Sequence, residues 1–315
     1  MFRRTIIVCH YYYFLSVLII LLLFLVFPIV VESFLLSSNN NNINNIISCD
    51  STRSCFLEMN NNNNNDVSVG KENDDSIILK RQRLKDTKGI IFDIDGTLSD
   101  SFQLGYDATK VVLQNNNISV ISEEVYHDCT RYATPERMAR HAGYFPGDKS
   151  YKDISTKLAK EFDDLYIDLV TIETAGFFSG VYDMIHNIPD KVRVGALTNA
   201  AHRYAHTVLK VNTNNSHDWN LYDRFTSIRG ADDVPNPKPS ADGLFVCCKD
   251  MDDSLNPSDC VYIGDSPSDA VAAQAAGMIS IGVLWGSHSE DKVRAAPFDI
   301  VCDSVEKLRQ ILPSK

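Results

Sequence analysis

Short apolar runs recur along the chain from residue 90 onward, at 90–92, 192–197, 225–228, 260–263 and 279–284, with a weaker one at 300–302. Their β-branched and aromatic content suits strands covered on both faces. Helix-length stretches separate most of them, and this alternation predicts an α/β fold with right-handed crossovers and a mainly parallel sheet. A ligand site is then expected beyond the carboxyl ends of the strands. One interval breaks the alternation. Residues 102–174 carry helical patterns at 103–114, 122–141 and 151–169 but no convincing strand, which predicts a helical insert placed over that edge as a lid. The organisation expected is an α/β core at 86–101 and 175–315 with a helical cap at 102–174.

The N-terminal part is different material. Arg3 and Arg4 precede an uncharged apolar run over 5–31; Pro28 breaks a helix there, and Val31-Glu32-Ser33 places a small residue before Phe34. That pattern predicts a signal peptide over 1–33. An uncleaved signal anchor is the alternative, because the run is long enough to cross a bilayer, and only in that case is membrane contact expected. Asparagine tracts make 34–85 low in complexity and unable to bury a core. Phe34, Ser37 and Ser38, with no acidic residue before Asp50, resemble the two-part presequence of algae with secondary plastids. The resemblance implies delivery to a plastid. A plain linker, in a secreted or membrane-anchored protein, is the other reading.

Composition changes the picture in two respects. A chain of 315 residues, 44% of them hydrophobic, buries a sizeable core. Its formal net charge of −11 argues against a broad grip on nucleic acid, which relies on clustered Lys and Arg. Eight cysteines lie scattered with none in C-x-x-C spacing, so no zinc or redox motif is expected. Adjacent Cys247 and Cys248 read as small buried hydrophobes.

Chemistry concentrates where the apolar runs stop. After Ile90-Ile91-Phe92 come Asp93-Ile94-Asp95-Gly96-Thr97. Two carboxylates two residues apart point the same way from an extended chain, and Gly96 permits a sharp turn after them. Such a pair suits a hard cation and a phosphoryl group, or else an Asx-type turn. Thr198-Asn199 follow the second run and offer a hydroxyl, an amide and backbone N–H groups, either to cap the next helix or to meet a phosphate oxygen. In Pro235-Asn236-Pro237-Lys238-Pro239, flanking prolines hold the Lys238 backbone extended, and its ammonium is suited to neutralise phosphate and carboxylate charge. Val261-Tyr262-Ile263-Gly264-Asp265 ends a further run in a carboxylate placed as a metal ligand. Asp269, four residues on, has several roles open to it: metal ligation directly or through water, orientation of Lys238, or a favourable charge at a helix N-terminus.

In order and spacing these four stretches resemble the motifs of the haloacid dehalogenase superfamily, over roughly residues 87–312. The resemblance implies a Rossmann-like core and, with a helical insert after the first motif, the capped branch that contains phosphoglycolate phosphatases and β-phosphoglucomutases. It implies that Asp93 is the nucleophile forming an aspartyl-phosphate and Asp95 the general acid and base. Thr198 and Asn199 would hold phosphate oxygens, with Gly96 and Thr97 also at the substrate, while Lys238 stabilises the charge. The cofactor implied is Mg2+, bound by Asp93, the backbone carbonyl of Asp95, and Asp265, with Asp269 beside them. Within the insert, Arg131, Arg137, Arg140 and His141 cluster. Arg137 is the candidate for a substrate carboxylate, and a solvated helix face is the competing reading. Asp95 favours phosphoryl chemistry over dehalogenation. The expectation is a magnesium-dependent phosphatase for a small phosphorylated metabolite, with 2-phosphoglycolate a candidate. A phosphomutase of the same superfamily and a noncatalytic phosphate-binding protein remain as alternatives.

Overall fold

The computed structural model describes residues 80, 82–213 and 219–315. The expected signal segment and the asparagine tracts lie outside the described residues. Six strands, β1 (Gly89–Phe92), β2 (Arg193–Leu197), β3 (Phe225–Arg229), β4 (Cys260–Gly264), β5 (Ile279–Val283) and β6 (Ile300–Cys302), form one sheet in the order β3-β2-β1-β4-β5-β6. Every neighbouring pair is parallel. The α/β core expected from the apolar runs is the fold.

Strand alternation explains why the sheet is covered on both sides. Ile90 and Phe92 belong to one buried cluster together with Val194, Val261 and Ile263, whereas Ile91 joins a second with Cys260 and Tyr262. Successive side chains of a strand point to opposite faces, so a continuous apolar run serves two layers at once. After β1 come α1 (Phe102–Asn115), α2 (Glu123–Cys129), α3 (Thr134–His141) and α4 (Tyr151–Asp168), with no strand between them. Helices α5 (Val181–Asn187), α6 (His202–Val211), α7 (Asp242–Met251), α8 (Pro267–Ala276), α9 (Glu290–Ala295) and α10 (Val305–Ile311) are interleaved with the remaining strands. Leu244, Cys247 and Met251 of α7 and Ala272 and Ala273 of α8 cover the Ile91 face. Residues of α5, α6 and α10 cover the other, and Met138, Leu158 and Phe162 of α3 and α4 extend the same apolar cluster into the insert.

The single helical pattern over 122–141 resolves into two helices. Pro135 lies in the first turn of α3, where its missing N–H has no partner to lose; a helix continuous from α2 would place that ring against the preceding turn. Cys247 and Cys248 are buried as their spacing suggests, but Cys248 Sγ lies 3.6 Å from Cys260 Sγ. Cys129, Cys247, Cys248 and Cys260 are free thiols. No helix among the described residues is long and apolar enough to cross a membrane.

The strand order reverses at β1. From there the chain steps to β2 and β3 on one side, then returns to β4 and continues to β6 on the other. Crossovers that leave in opposite directions open a crevice at the carboxyl end of the strand between them. Register sharpens the placement: Phe92 pairs with both Ala196 of β2 and Ile263 of β4, so Asp93, Thr198 and Asp265 all emerge within two residues of the same level.

Candidate active site

Asp93 is 5% exposed and its N–H donates to the Ile263 carbonyl at 2.8 Å, which fixes the strand tip. Lys238, also 5% exposed, enters from the loop between β3 and α7. Its Nζ stands 2.8 Å from Asp93 Oδ1 and 2.8 Å from Asp269 Oδ1. The contact with Asp93 is an ion pair out of line for a good hydrogen bond, since Oδ1 has no aligned donor. Burial works to lower the Lys238 pKa, but Asp269 and Asp93 together hold it above the ordinary value. Burial pushes Asp93 well above the usual carboxylate range; Lys238 opposes this, while Asp269, Asp265 and Asp95 reinforce it. Oxygens of Asp93, Asp265 and Asp269 lie within 4.8 Å of one another.

Of the roles open to Asp269, orienting Lys238 is the one this geometry builds. The residue is 0% exposed. Its Oδ1 accepts from Lys238 Nζ at 2.8 Å and from the Tyr262 hydroxyl at 2.9 Å, and its Oδ2 accepts from Ser266 N–H at 2.9 Å and Ser266 Oγ at 2.7 Å. Four donors fill the two oxygens, and the Ser266 bonds also cap α8. Asp265 is held differently. Its Oδ2 accepts from Ser287 N–H at 2.8 Å and Ser287 Oγ at 3.2 Å, with His288 Nδ1 at 3.4 Å. Burial alone would raise its pKa, but His288 and the Ser287 N–H bring it below the usual value.

Gly96 turns the chain immediately below Asp265. Its φ is +75°, and a Cβ there would collide with the Asp265 carboxylate. A Gly96→Ala variant is expected to carry about 1–2 kcal/mol of left-handed strain. Displacement of Asp265 should lower turnover on the order of 10²-fold. Thermal melts and initial rates test this, and a variant with unchanged rate would count against the placement of Asp265.

Asp95 points away from the three-acid cluster. Its Oδ2 accepts from Thr198 Oγ1 at 3.0 Å, and its Oδ1 accepts from Ser101 Oγ at 2.5 Å, the Tyr204 hydroxyl at 2.6 Å and the Tyr166 hydroxyl at 3.2 Å. One expectation is qualified and one needs correcting. Asn199 lines the cavity with Thr198 and Lys238, but its side-chain amide is used on Lys238: Oδ1 accepts from Lys238 N–H at 3.0 Å and Nδ2 donates to the Lys238 carbonyl at 3.0 Å. A planar amide facing a peptide satisfies a donor and an acceptor at once, so it clamps the lysine loop. Thr97, expected at the substrate, is 1% exposed with its hydroxyl unpartnered inside the protein, and does not line the cavity. It contributes its carbonyl, which accepts from Trp285 Nε1 at 3.1 Å.

A cavity of about 70 Å³ joins Asp93, Asp95, Gly96, Thr198 and Lys238 to the insert. Arg137 is the cap cation that lines it. Its guanidinium lies over the Phe162 ring at 4.8 Å and the Tyr126 ring at 5.7 Å, and its Nε has no hydrogen-bond partner. Arg140 is committed elsewhere, with Nε 2.8 Å from Glu136 Oε1, and Arg131 meets the Tyr132 hydroxyl at 3.0 Å. His141 is buried with both ring nitrogens unpartnered, and burial together with the Arg137 charge brings its pKa down to about 3.

Sequence reasoning missed the residues that hold the acids. Ser101 adjoins the first motif and Tyr262 lies within the fourth, so both had a positional signal. Tyr166, Tyr204, Ser287 and His288 had none, because an aromatic on a helix or a polar residue after a strand reads as core or loop.

A sequence model of the haloacid dehalogenase-like hydrolases matches residues 90–283. The chain belongs to this family. Among curated relatives it is 25% identical to the phosphoglycolate phosphatase of Escherichia coli (strain K12), with 72% of this chain and 92% of the relative covered. Among solved structures it resembles a hydrolase from Pseudomonas syringae (TM-score 0.59, 19% identity, 71% of this chain and 96% of that one). It also resembles a β-phosphoglucomutase from Clostridium difficile (TM-score 0.56, 19% identity, 71% and 96%). Likeness at that identity establishes the hydrolase fold, and the reaction has to be argued from the site.

Proposed function

We propose that the protein is a phosphatase that hydrolyses a small phosphate monoester with magnesium as its cofactor. The observation that carries this reading is the buried lysine 2.8 Å from both Asp93 and Asp269 at the strand-order reversal. A nucleophilic carboxylate is thereby held next to a cation that neutralises the incoming phosphate. Asp93 attacks phosphorus and the ester oxygen leaves, giving an aspartyl-phosphate. Asp95 gives that oxygen a proton and then takes one from the water that hydrolyses the intermediate. Asn199 and Asp269 keep Lys238 aimed at the transferring group.

The donor set fits magnesium. Asp93 and Asp265 converge as hard oxygen ligands; burial first, and then the neighbouring carboxylates, push Asp93 upward, and the repulsive part is the kind a divalent cation relieves. These two carboxylates, with the Asp95 carbonyl, would hold magnesium, which would supply the positive charge that lets an anionic carboxylate meet an anionic phosphate. The unpartnered Arg137 Nε at the cavity wall supports a substrate with a second anionic group, and 2-phosphoglycolate fits that description. The relatives' name points the same way.

Phosphate release from 2-phosphoglycolate and a panel of phosphorylated metabolites, with magnesium and with EDTA, tests the reading. Activity should vanish on chelation and return on adding magnesium. Phosphate binding without release would favour the noncatalytic reading, and sugar-phosphate isomerisation without release would favour a mutase. Arg137→Met should raise KM for 2-phosphoglycolate by about tenfold to hundredfold, the value of a charge-assisted hydrogen bond. Ethyl phosphate, which has no carboxylate, should be little affected; an equal change for both esters would remove Arg137 from the substrate.

A further inference from the structure

Packing alone would be served by phenylalanine at the two buried tyrosines beside Asp95. Their rings stack with centroids 4.1 Å apart and planes 13° from parallel. What distinguishes them is where their hydroxyls go. The Tyr204 hydroxyl donates to Asp95 Oδ1 at 2.6 Å. The Tyr166 hydroxyl lies 2.9 Å from the Tyr204 hydroxyl and 3.2 Å from Asp95 Oδ1. Tyr166 comes from α4 of the insert and Tyr204 from α6 of the core, so a chain of hydroxyls crosses from cap to core and ends on one carboxylate oxygen. Burial, with the Asp95 charge adding to it, holds both phenols well above their ordinary pKa, and they remain donors.

We infer that Tyr166 and Tyr204 are positioning residues for Asp95, and that their hydroxyls, together with Ser101, reserve Oδ1 as an acceptor and leave Oδ2 to carry the proton. The inference deepens the phosphatase reading and rests on it. An oxygen of a carboxylate has two lone pairs. Oδ1 faces three hydroxyls, Ser101, Tyr204 and Tyr166, whereas Oδ2 faces Thr198 alone. A proton on Oδ1 would displace one of three donors in a buried network, where an unpaired polar group is costly. A proton on Oδ2 displaces at most the Thr198 hydroxyl, which can rotate. In the first half-reaction the Asp93–phosphorus bond forms and the phosphorus–ester oxygen bond breaks. The electron pair stays on the ester oxygen, which takes the proton from Oδ2. In the second, Oδ2 recovers a proton from water as the water oxygen bonds to phosphorus; the bond from phosphorus to Asp93 breaks, its electron pair returns to the Asp93 carboxylate, and inorganic phosphate is released. Because Tyr166 belongs to the insert, the position of the cap sets the orientation of the acid.

Leaving-group dependence separates this role from a structural one. An alkyl alcohol needs its proton as it leaves and 4-nitrophenolate does not. For Tyr204→Phe, kcat/KM on an alkyl phosphate such as 2-phosphoglycolate should fall by about tenfold to hundredfold, the order of a general-acid contribution. Its kcat/KM on 4-nitrophenyl phosphate should fall much less. Tyr166→Phe should show the same selectivity with a smaller amplitude, and provides a second route if Tyr204→Phe folds poorly by circular dichroism. Asp95→Asn sets the upper limit of the discrimination. Equal falls on both esters, or no fall on either, in the Tyr variants of an active enzyme would overturn the positioning role alone. A wild-type protein that releases phosphate from neither ester overturns the phosphatase reading, and this inference falls with it.

Discussion

Replacement of Asp93 by asparagine is expected to lower kcat by roughly 10⁴-fold or more, as removal of a nucleophile does in other covalent enzymes. The amide keeps the shape of the side chain but is a poor nucleophile, and it no longer pairs as a charge with Lys238 at 2.8 Å. Folding should survive. Asp93 is pushed upward by burial and by three neighbouring carboxylates, so neutralising it removes repulsion from the cluster. The expected signature is therefore a melting temperature near or above that of the wild type in magnesium-free buffer, with phosphate release lost. Mass spectrometry of protein quenched during turnover should find phosphate on Asp93 in the wild type and none in the variant. Equal turnover in the two proteins would sink the nucleophile assignment.

Replacement of Lys238 by methionine should do damage of a different kind. The side chain is similar in length, but the buried cation between Asp93 and Asp269 is gone. Removing one partner of a buried ion pair typically destabilises by about 3–5 kcal/mol, because the remaining charge is left uncompensated. The deficit has a predictable pH dependence. Asp93 already has a raised pKa with Lys238 present, and without the lysine it rises further, so protonation of the folded variant relieves the unpaired charge as pH falls. The stability gap between variant and wild type should narrow toward acid and widen toward neutral pH, as read from urea unfolding curves. Turnover should fall on the order of 10²–10³-fold through loss of charge stabilisation at the transferring group. A variant as stable as the wild type at neutral pH would show that Asp93 and Asp269 do not depend on the lysine.

These two residues also mark how far local patterning reaches. Asp93 and Asp265 follow apolar runs directly, and strands that end in carboxylates at the edge of a parallel sheet are legible from composition and period alone. Lys238 was legible through its prolines. Its true restraint was not: the peptide is clamped by Asn199 at 3.0 Å on both its N–H and its carbonyl, and the amide that looked free for phosphate is occupied. Thr97 failed for a related reason. Two residues past Asp95 the chain has already turned into the interior, and that depends on the turn made at Gly96 and on Trp285 reaching the Thr97 carbonyl. The insert gave a similar lesson, since a helical period over 122–141 does not register the constraint that Pro135 imposes until the chain is built as α2 and α3.

Amino-acid order was sufficient for the sheet, the helical insert and the convergence of Asp93, Asp95, Thr198, Lys238 and Asp265, because apolar period and strand-end chemistry are local properties and parallel topology brings strand ends to one edge. The division of labour among the carboxylates needed the folded chain. Asp269 became a partner of Lys238 because Tyr262 and Ser266 fill its remaining acceptor positions. Asp95 became the separately held acid because hydroxyls from Ser101, Thr198, Tyr204 and Tyr166 surround it. Hydrogen-bond partners distant along the chain leave no periodic trace in sequence, since their pairing is set by how helices and strands pack.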